Sequence, residues 1–291
     1  MPAPPHPGAP PSPAVASRNG TRRPMQRTRP SARPTGDTFE EAHGSPALVA
    51  VAHGSRDPRA LRTVTRLLDR VREARPGLDV RLGHIELNEP LLPRTLAGLA
   101  GGSAVLVPLL LGRGYHVKHD LPALAAAAPA VRTRVAAPLG PHPLLVEALY
   151  GRLVEAGWAA GRGDAVVLAA AGSRDPESAA DTRRTARLLA ERLGGVPVVP
   201  AYASAATPTV PVAVHALTAR GHHRTAVASY FTAPGRFATA AAEAAPGIAA
   251  SPLGDHPAMV RLLLHRYDQA CGGAAPAAGG PRAGEPLLAS V

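Results

Sequence analysis

The sequence predicts an α/β protein of two tandem domains, each a parallel sheet of about four strands flanked by helices. Three observations carry that prediction. Apolar runs such as Leu48-Val49-Ala50-Val51-Ala52 and Ala104-Val105-Leu106-Val107 alternate with longer segments of helical periodicity. Strands without polar alternation are covered on both faces, the pattern of parallel strands joined by crossover helices. Gly54-Ser55-Arg56-Asp57-Pro58 recurs identically as Gly172 to Pro176, and Pro138-Leu139-Gly140-Pro141-His142-Pro143 recurs as Pro252-Leu253-Gly254-Asp255-His256-Pro257, in the same order. Two matches at nearly one spacing mark a duplicated unit. A chain of 291 residues also exceeds one typical domain and fits two.

The elements follow in order. Residues 1–46 are rich in Pro, Arg, Ser and Gly without periodicity, and are expected to be disordered. The first unit, 47–157, opens with a strand at 47–52 that ends in His53-Gly54-Ser55. Pro58 then starts a helix over 58–74, with Leu61, Val64, Leu67, Leu68 and Val71 at helical spacing. A second strand is expected at 78–87, a short helix at 90–100 and a third strand at 104–111. A Gly-rich loop then runs to His119, and Asp120 is expected to cap a helix at 121–128. A fourth strand at 131–136 and a helix at 143–156 close the unit, and Gly157 to Gly163 reads as a linker. The second unit, 164–271, repeats the order: strand 165–170, helix 176–193, strand 196–203, helix 208–220 and strand 225–230. A Pro234-Gly235 loop, a helix at 237–244, a last strand at 247–251 and a last helix at 257–269 complete it, and residues 272–291 are expected to be disordered.

Net charge is +11, but the first 36 residues hold six Arg and no acid, leaving about +5 for the rest (11 − 6). That balance suits an anionic ligand. No basic stripe with interleaved aromatics is present, so nucleic acid is not an expected partner. The single cysteine, Cys271, excludes an internal disulfide framework and a CxxC metal motif. No apolar run approaches a membrane span of about 18 residues, and no signal-peptide apolar region is present, so a cytoplasmic protein is expected.

In an open parallel sheet, ligands bind beyond the carboxyl ends of the strands. Three titratable residues fall there: His53 after the first strand, Glu86 at the end of the second and His116 just past the third. Two imidazoles and a carboxylate can bind a divalent transition metal with positions left open, or accept protons near neutral pH. Arg56, Arg113 and Lys118 flank the same edge and, with the turn amides of Gly54 and Ser55, suit carboxylates or phosphates. Taken singly, each has an ordinary structural explanation as a turn residue or a solvated charge. The repeat decides otherwise. The second unit has Ala171 for His53, Ser204 for Glu86 and, allowing a small gap, Arg236 for His116, while the Gly, Ser and Pro framework is kept. Residues needed for folding would be needed twice. His142 and His256, present in both units before Pro, read as structural.

Val51-Ala52-His53-Gly54-Ser55-Arg56, Glu86-Leu87-Asn88-Glu89-Pro90 and Val107-Pro108-Leu109-Leu110-Leu111, with Tyr115-His116-Val117-Lys118-His119-Asp120-Leu121-Pro122, resemble the sirohydrochlorin chelatases of the CbiX/SirB type, the class II chelatases. The strong match spans about 47–145, and the second unit resembles the family's degenerate partner domain. The resemblance implies two chelatase-like (flavodoxin/Rossmann-like) domains and ATP-independent insertion of Fe²⁺ or Co²⁺ into sirohydrochlorin; a His/His/carboxylate site by itself also accepts Ni²⁺. The metal would be a substrate, with no permanently bound cofactor. His53 and His116 match the family's functional histidines and would present the metal; Glu86 matches its nearby acid. Metallation must remove two pyrrole N–H protons; one of the two histidines, His53 by preference, is expected to take one, and Glu86 to orient a histidine or accept the second. The anionic tetrapyrrole is expected along Ser55, Arg56, Glu86, Leu111, Gly112, Arg113, Gly114, Tyr115 and Lys118. A fused pair of halves suits a monomer or a weak homo-oligomer. The rival readings are a non-catalytic metal or tetrapyrrole carrier, and a phosphate-ester hydrolase using His53 as nucleophile beside Arg56. The long Arg/Pro-rich N-terminus has no role in the resemblance.

Overall fold

The computed structural model describes residues 45–159, 161 and 164–272; the expected disordered tails lie almost wholly outside that range. Two parallel sheets are present. The first has the order β2-β1-β3-β4, from β1 (Ala47–Ala52), β2 (Val80–His84), β3 (Ser103–Pro108) and β4 (Arg132–Val135). The second has the order β6-β5-β7, from β5 (Ala165–Ala170), β6 (Val198–Tyr202) and β7 (Thr225–Tyr230). Every residue of β1, β3, β5 and β7 is buried, in keeping with their largely apolar sequences. The strand expected at 247–251 is reduced to one bridge, Ala249 against Val227. Pro246-Gly247 and Pro252 leave only four residues between them, and the pairing there is two hydrogen bonds, from the Val227 amide to Ile248 and from the Ala250 amide to Val227.

Helices α1 (Pro58–Ala74) and α5 (Pro176–Arg192) begin identically. Asp57 and Asp175 accept from the amides of Arg59 and Glu177, and each is followed by proline in the first turn. The remaining helices are α2 (Leu92–Ala97), α3 (Leu121–Ala126), α4 (Pro143–Glu155), α6 (Val210–Thr218), α7 (Arg236–Glu243) and α8 (Pro257–Cys271). No helix among the described residues is long and apolar enough to cross a membrane.

The two halves exchange their closing helices. α4, expected to finish the first half, packs on α5 and β7 of the second, while α8 packs on α1 and β3 of the first. Ion pairs tie the exchange: Arg192 of α5 to Glu147 of α4 at 2.7 Å, and Arg75 after α1 to Asp268 of α8 at 2.5 Å. The largest hydrophobic core accordingly mixes Leu67, Leu68 and Leu149 with Leu168, Leu253 and Met259. The halves share one interior.

Candidate active site

The site grows from the turn that ends β1. Gly54 has φ +107°, and a Cβ there would lie 1.9 Å from the carbonyl oxygen of Glu86. Only glycine lets the end of β2 approach so closely. The amides of Ile85 and Glu86 then bond to the carbonyls of Ala52 and His53, which brings Glu86 beside His53. The second half repeats this frame: Gly172 has φ +92° and its Cβ would strike the carbonyl oxygen of Ser204 at 1.8 Å. Ser204 therefore does stand where Glu86 stands.

The segment expected to be a loop to His119 instead forms a π-helical turn, His116–Asp120, in which the amides of Val117 and Lys118 bond back to the carbonyl of Gly114. It points His116 at His53. Their Nε2 atoms are 3.1 Å apart, with ring centroids 4.6 Å apart and the rings nearly perpendicular. Oε1 of Glu86 lies 3.6 Å from Nε2 of His53. Asp120 does not cap α3: its backbone is already helical and it makes no capping bond. Its Oδ2 instead lies 2.5 Å from Nδ1 of His116, one turn back. With Nδ1–H of His116 donating to that carboxylate, Nε2 is left with its lone pair. Nδ1 of His53 lies 3.4 Å from the Gly54 carbonyl oxygen, which sets the same tautomer more weakly. Two lone pairs facing one another at this distance repel unless a proton or a cation lies between them.

Strand registers correct the comparison of the halves. Ala47 pairs with Ala104 and Ala165 with Thr225, and the amides of the equivalent Leu139 and Leu253 bond to Leu110 and Phe231. Carried forward without a gap, that register sets Gly114 opposite Gly235, His116 opposite Phe237 and Asp120 opposite Ala241. Arg236 is thus the counterpart of Tyr115, not of His116. The His–Asp couple is lost as a unit.

A cavity of about 930 Å³ opens before the histidines, within the range of small-molecule sites. Both halves line it. His53, Arg56, Glu86, Leu111, Gly112, Gly114, Tyr115 and His116 come from the first; Ala171, Ser204, Phe231, Arg236 and Phe237 come from the second. Leu61, Leu87 and Tyr115 on its lining are exposed. Arg56 has no ion-pair or hydrogen-bond partner among the described residues. Arg113 and Lys118 do not line this space. Arg113 is held by Asp181 at 2.7 Å, and Lys118 lies 2.7 Å from both Asp175 and Glu177. The Ser55 amide, expected to be open to an anion, donates to Asn88 Oδ1 at 2.7 Å, and Ser55 Oγ accepts from the Asp57 amide. Burial favours the neutral form of Asp181, but donation from the Arg113 side chain and amide outweighs it, so its carboxyl is held below the usual range. Among the described residues no group of three or more His, Cys, Asp or Glu is arranged to hold a metal ion; the histidine pair faces the cavity.

Residues 47–156 and 165–270 each match CbiX. The chain belongs to the CbiX family. Within it, the sirohydrochlorin ferrochelatase of Bacillus subtilis is 31% identical over 170 residues, covering 56% of this chain and 64% of that protein. The sirohydrochlorin cobaltochelatase of Methanococcus aeolicus is 34% identical over 79 residues, covering 26% of this chain and 55% of that protein. Neither alignment reaches two thirds of the relative's length. The structure of SirB from Bacillus subtilis with Fe³⁺ matches with a TM-score of 0.63 at 26% identity, covering 78% of this chain and 96% of that one. The CbiX fold, duplicated along one chain, is therefore what the two sheets represent.

Proposed function

We propose that this CbiX-family chain inserts Fe²⁺ or Co²⁺ into sirohydrochlorin at the cavity between its halves. The observation that carries the reading is the facing pair of His53 and His116. Bonds of about 2.1 Å from both Nε2 atoms across their 3.1 Å separation would subtend about 95° at a metal, between octahedral and tetrahedral angles. Two neutral imidazoles hold a divalent ion without enclosing it, which is what transfer to another set of nitrogens requires. Asp120 keeps His116 in the ligating tautomer. Glu86, 3.6 Å from His53, is placed to accept a pyrrole proton directly or through that imidazole. The cavity suits the other substrate: exposed Leu61, Leu87 and Tyr115 offer apolar surface to a flat macrocycle, while Arg56 and Arg236, one from each half, offer charge to its carboxylates. The names of the ferrochelatase and cobaltochelatase relatives support the same reaction and leave iron and cobalt equally placed.

The test is anaerobic absorption spectroscopy of sirohydrochlorin with Fe²⁺, Co²⁺ or Ni²⁺, using the wild type, His53→Ala and His116→Ala. Each substitution is expected to slow metallation by ~10²-fold or more, as loss of a ligand or an acid–base group does. Unchanged rates in both variants would overturn the site. Tight binding of metal and tetrapyrrole by the wild type without turnover would favour a carrier.

A further inference from the structure

The second half has lost the site residues but holds the segment that carries His116 at four successive points. Thr232 Oγ1 donates to the carbonyl of Leu109 at 3.0 Å. The Tyr230 hydroxyl, buried beside Thr185, donates to the carbonyl of Leu111 at 2.7 Å. Asp181 accepts from the Arg113 amide at 2.9 Å and from its guanidinium at 3.0 and 2.7 Å. Lys118, two residues past His116, sits between Asp175 and Glu177. The holding is one-sided. By the repeat register the counterparts of Tyr230, Thr232, Asp181 and Glu177 in the first half are Leu109, Leu111, Thr63 and Arg59, and those of Arg113 and Lys118 are Pro234 and Thr239. The first half cannot return a single one of these side-chain bonds.

Asp181 stands out among them. Its side chain is 4% exposed, on a helix with no chemistry of its own. A buried carboxylate is costly unless paired and hydrogen-bonded, and this one meets that requirement with a main-chain amide and a side chain of the opposite half, three residues before His116. We propose that the second half serves as a brace for residues 109–118 and that Asp181 is its principal positioning residue, acting through Arg113 to fix the seat of His116 against His53. The proposal rests on the reading that these two histidines present the metal. A seat displaced by about 1 Å should leave substrate capture intact and slow the transfer itself.

The experiment uses the full chain with Asp181→Asn, which keeps one acceptor, Asp181→Ala, which keeps none, and the exposed Glu177→Gln, for which folding is not at risk. Hydrogen exchange over residues 109–120 reads the brace directly. Exchange there is expected to quicken in the order Glu177→Gln or Asp181→Asn, then Asp181→Ala, with the other strands unchanged; unaltered exchange in all three overturns the proposal whatever the site does. Steady-state metallation is expected to show kcat reduced about 10- to 100-fold in Asp181→Ala, with KM for sirohydrochlorin within about threefold and partial rescue in Asp181→Asn. Titration with Co²⁺ alone separates positioning from general loosening: Asp181→Ala should weaken binding about tenfold in the wild-type background and not at all in His116→Ala. An equal loss in both backgrounds, or a loosened segment with undiminished kcat, overturns it. A His116→Ala chain that metallates at the wild-type rate sinks the site reading instead, and the exchange result then judges the brace alone.

Discussion

Asp120, one helical turn on, is placed to accept a hydrogen bond from Nδ1–H of His116, the arrangement that leaves the lone pair on Nε2. Replacing Asp120 by Leu frees the ring to rotate and to adopt the other tautomer, so metallation is expected to slow about 10- to 100-fold, whereas Asp120→Asn, which still accepts a hydrogen bond, should retain most of the rate. The ¹⁵N shifts of His116 supply the check: the wild type and Asp120→Asn should report an Nδ1–H tautomer and Asp120→Leu a mixture. His53, Glu86 and His116 were legible in the sequence because the repeat shows which polar residues the fold can do without. Asp120 was not. Its position before Leu121-Pro122 gave it the look of a helix cap, although the i, i+4 spacing from His116 and its replacement by Ala241 in the second half were both in plain sight. Asp181 was beyond reach for a different reason: its partner lies 68 residues away in the other half.

At the level of elements, the two recurring histidines have become clear. His142 and His256 accept the amides of Leu144 and Ala258 through Nδ1, capping α4 and α8 at their starts. A cap of this kind requires the neutral ring. Burial, reinforced by the Arg266 and His265 charges, pushes His142 down to about 4 from the ordinary value near 6.5. Since the folded value is depressed, the unfolded chain binds the proton more readily between those limits. The stability that His142 contributes is therefore complete above pH 6.5 and lost as pH falls toward 4. Thermal midpoints measured from pH 7 to pH 4 should fall, and His142→Asn, a capping residue that does not titrate, should flatten that slope. An unaltered slope would remove His142 as its source. The strands show where sequence reading succeeds. Unbroken apolar runs located β1 and β5 to the residue, because strands buried on both faces favour that composition. The last strand of the second half failed because prolines and a glycine outweigh three apolar residues.

For the whole molecule, the exchange of α4 and α8 decides how the chain unfolds. Nothing in the sequence marks it, since each helix carries the apolar face that either sheet would accept and only tertiary packing selects the partner. Trp158, the single tryptophan, is buried in the core that both halves build, so its fluorescence reports on both. Leu253, wholly buried in that core, should cost about 2–5 kcal/mol when replaced by alanine. Because the core is shared, Leu253→Ala is expected to shift one cooperative transition, with Trp158 fluorescence and far-ultraviolet dichroism coinciding in urea. Two separated transitions would mean that the halves melt independently.

The loss of His, Glu and the His–Asp couple from one copy also gives the cavity a direction. A flat ring seated between the halves would meet imidazoles, Glu86 and Arg56 from the first half, and from the second half Ala171, Ser204 and Phe237 in their equivalent places, with Arg236 as the charge on that lining. Two intact copies would present a metal from above and below, competing for one set of ring nitrogens. In the proposed reaction, a single equipped wall would deliver the ion to one face of the ring, and the opposite face would rest against a surface without imidazole or carboxylate.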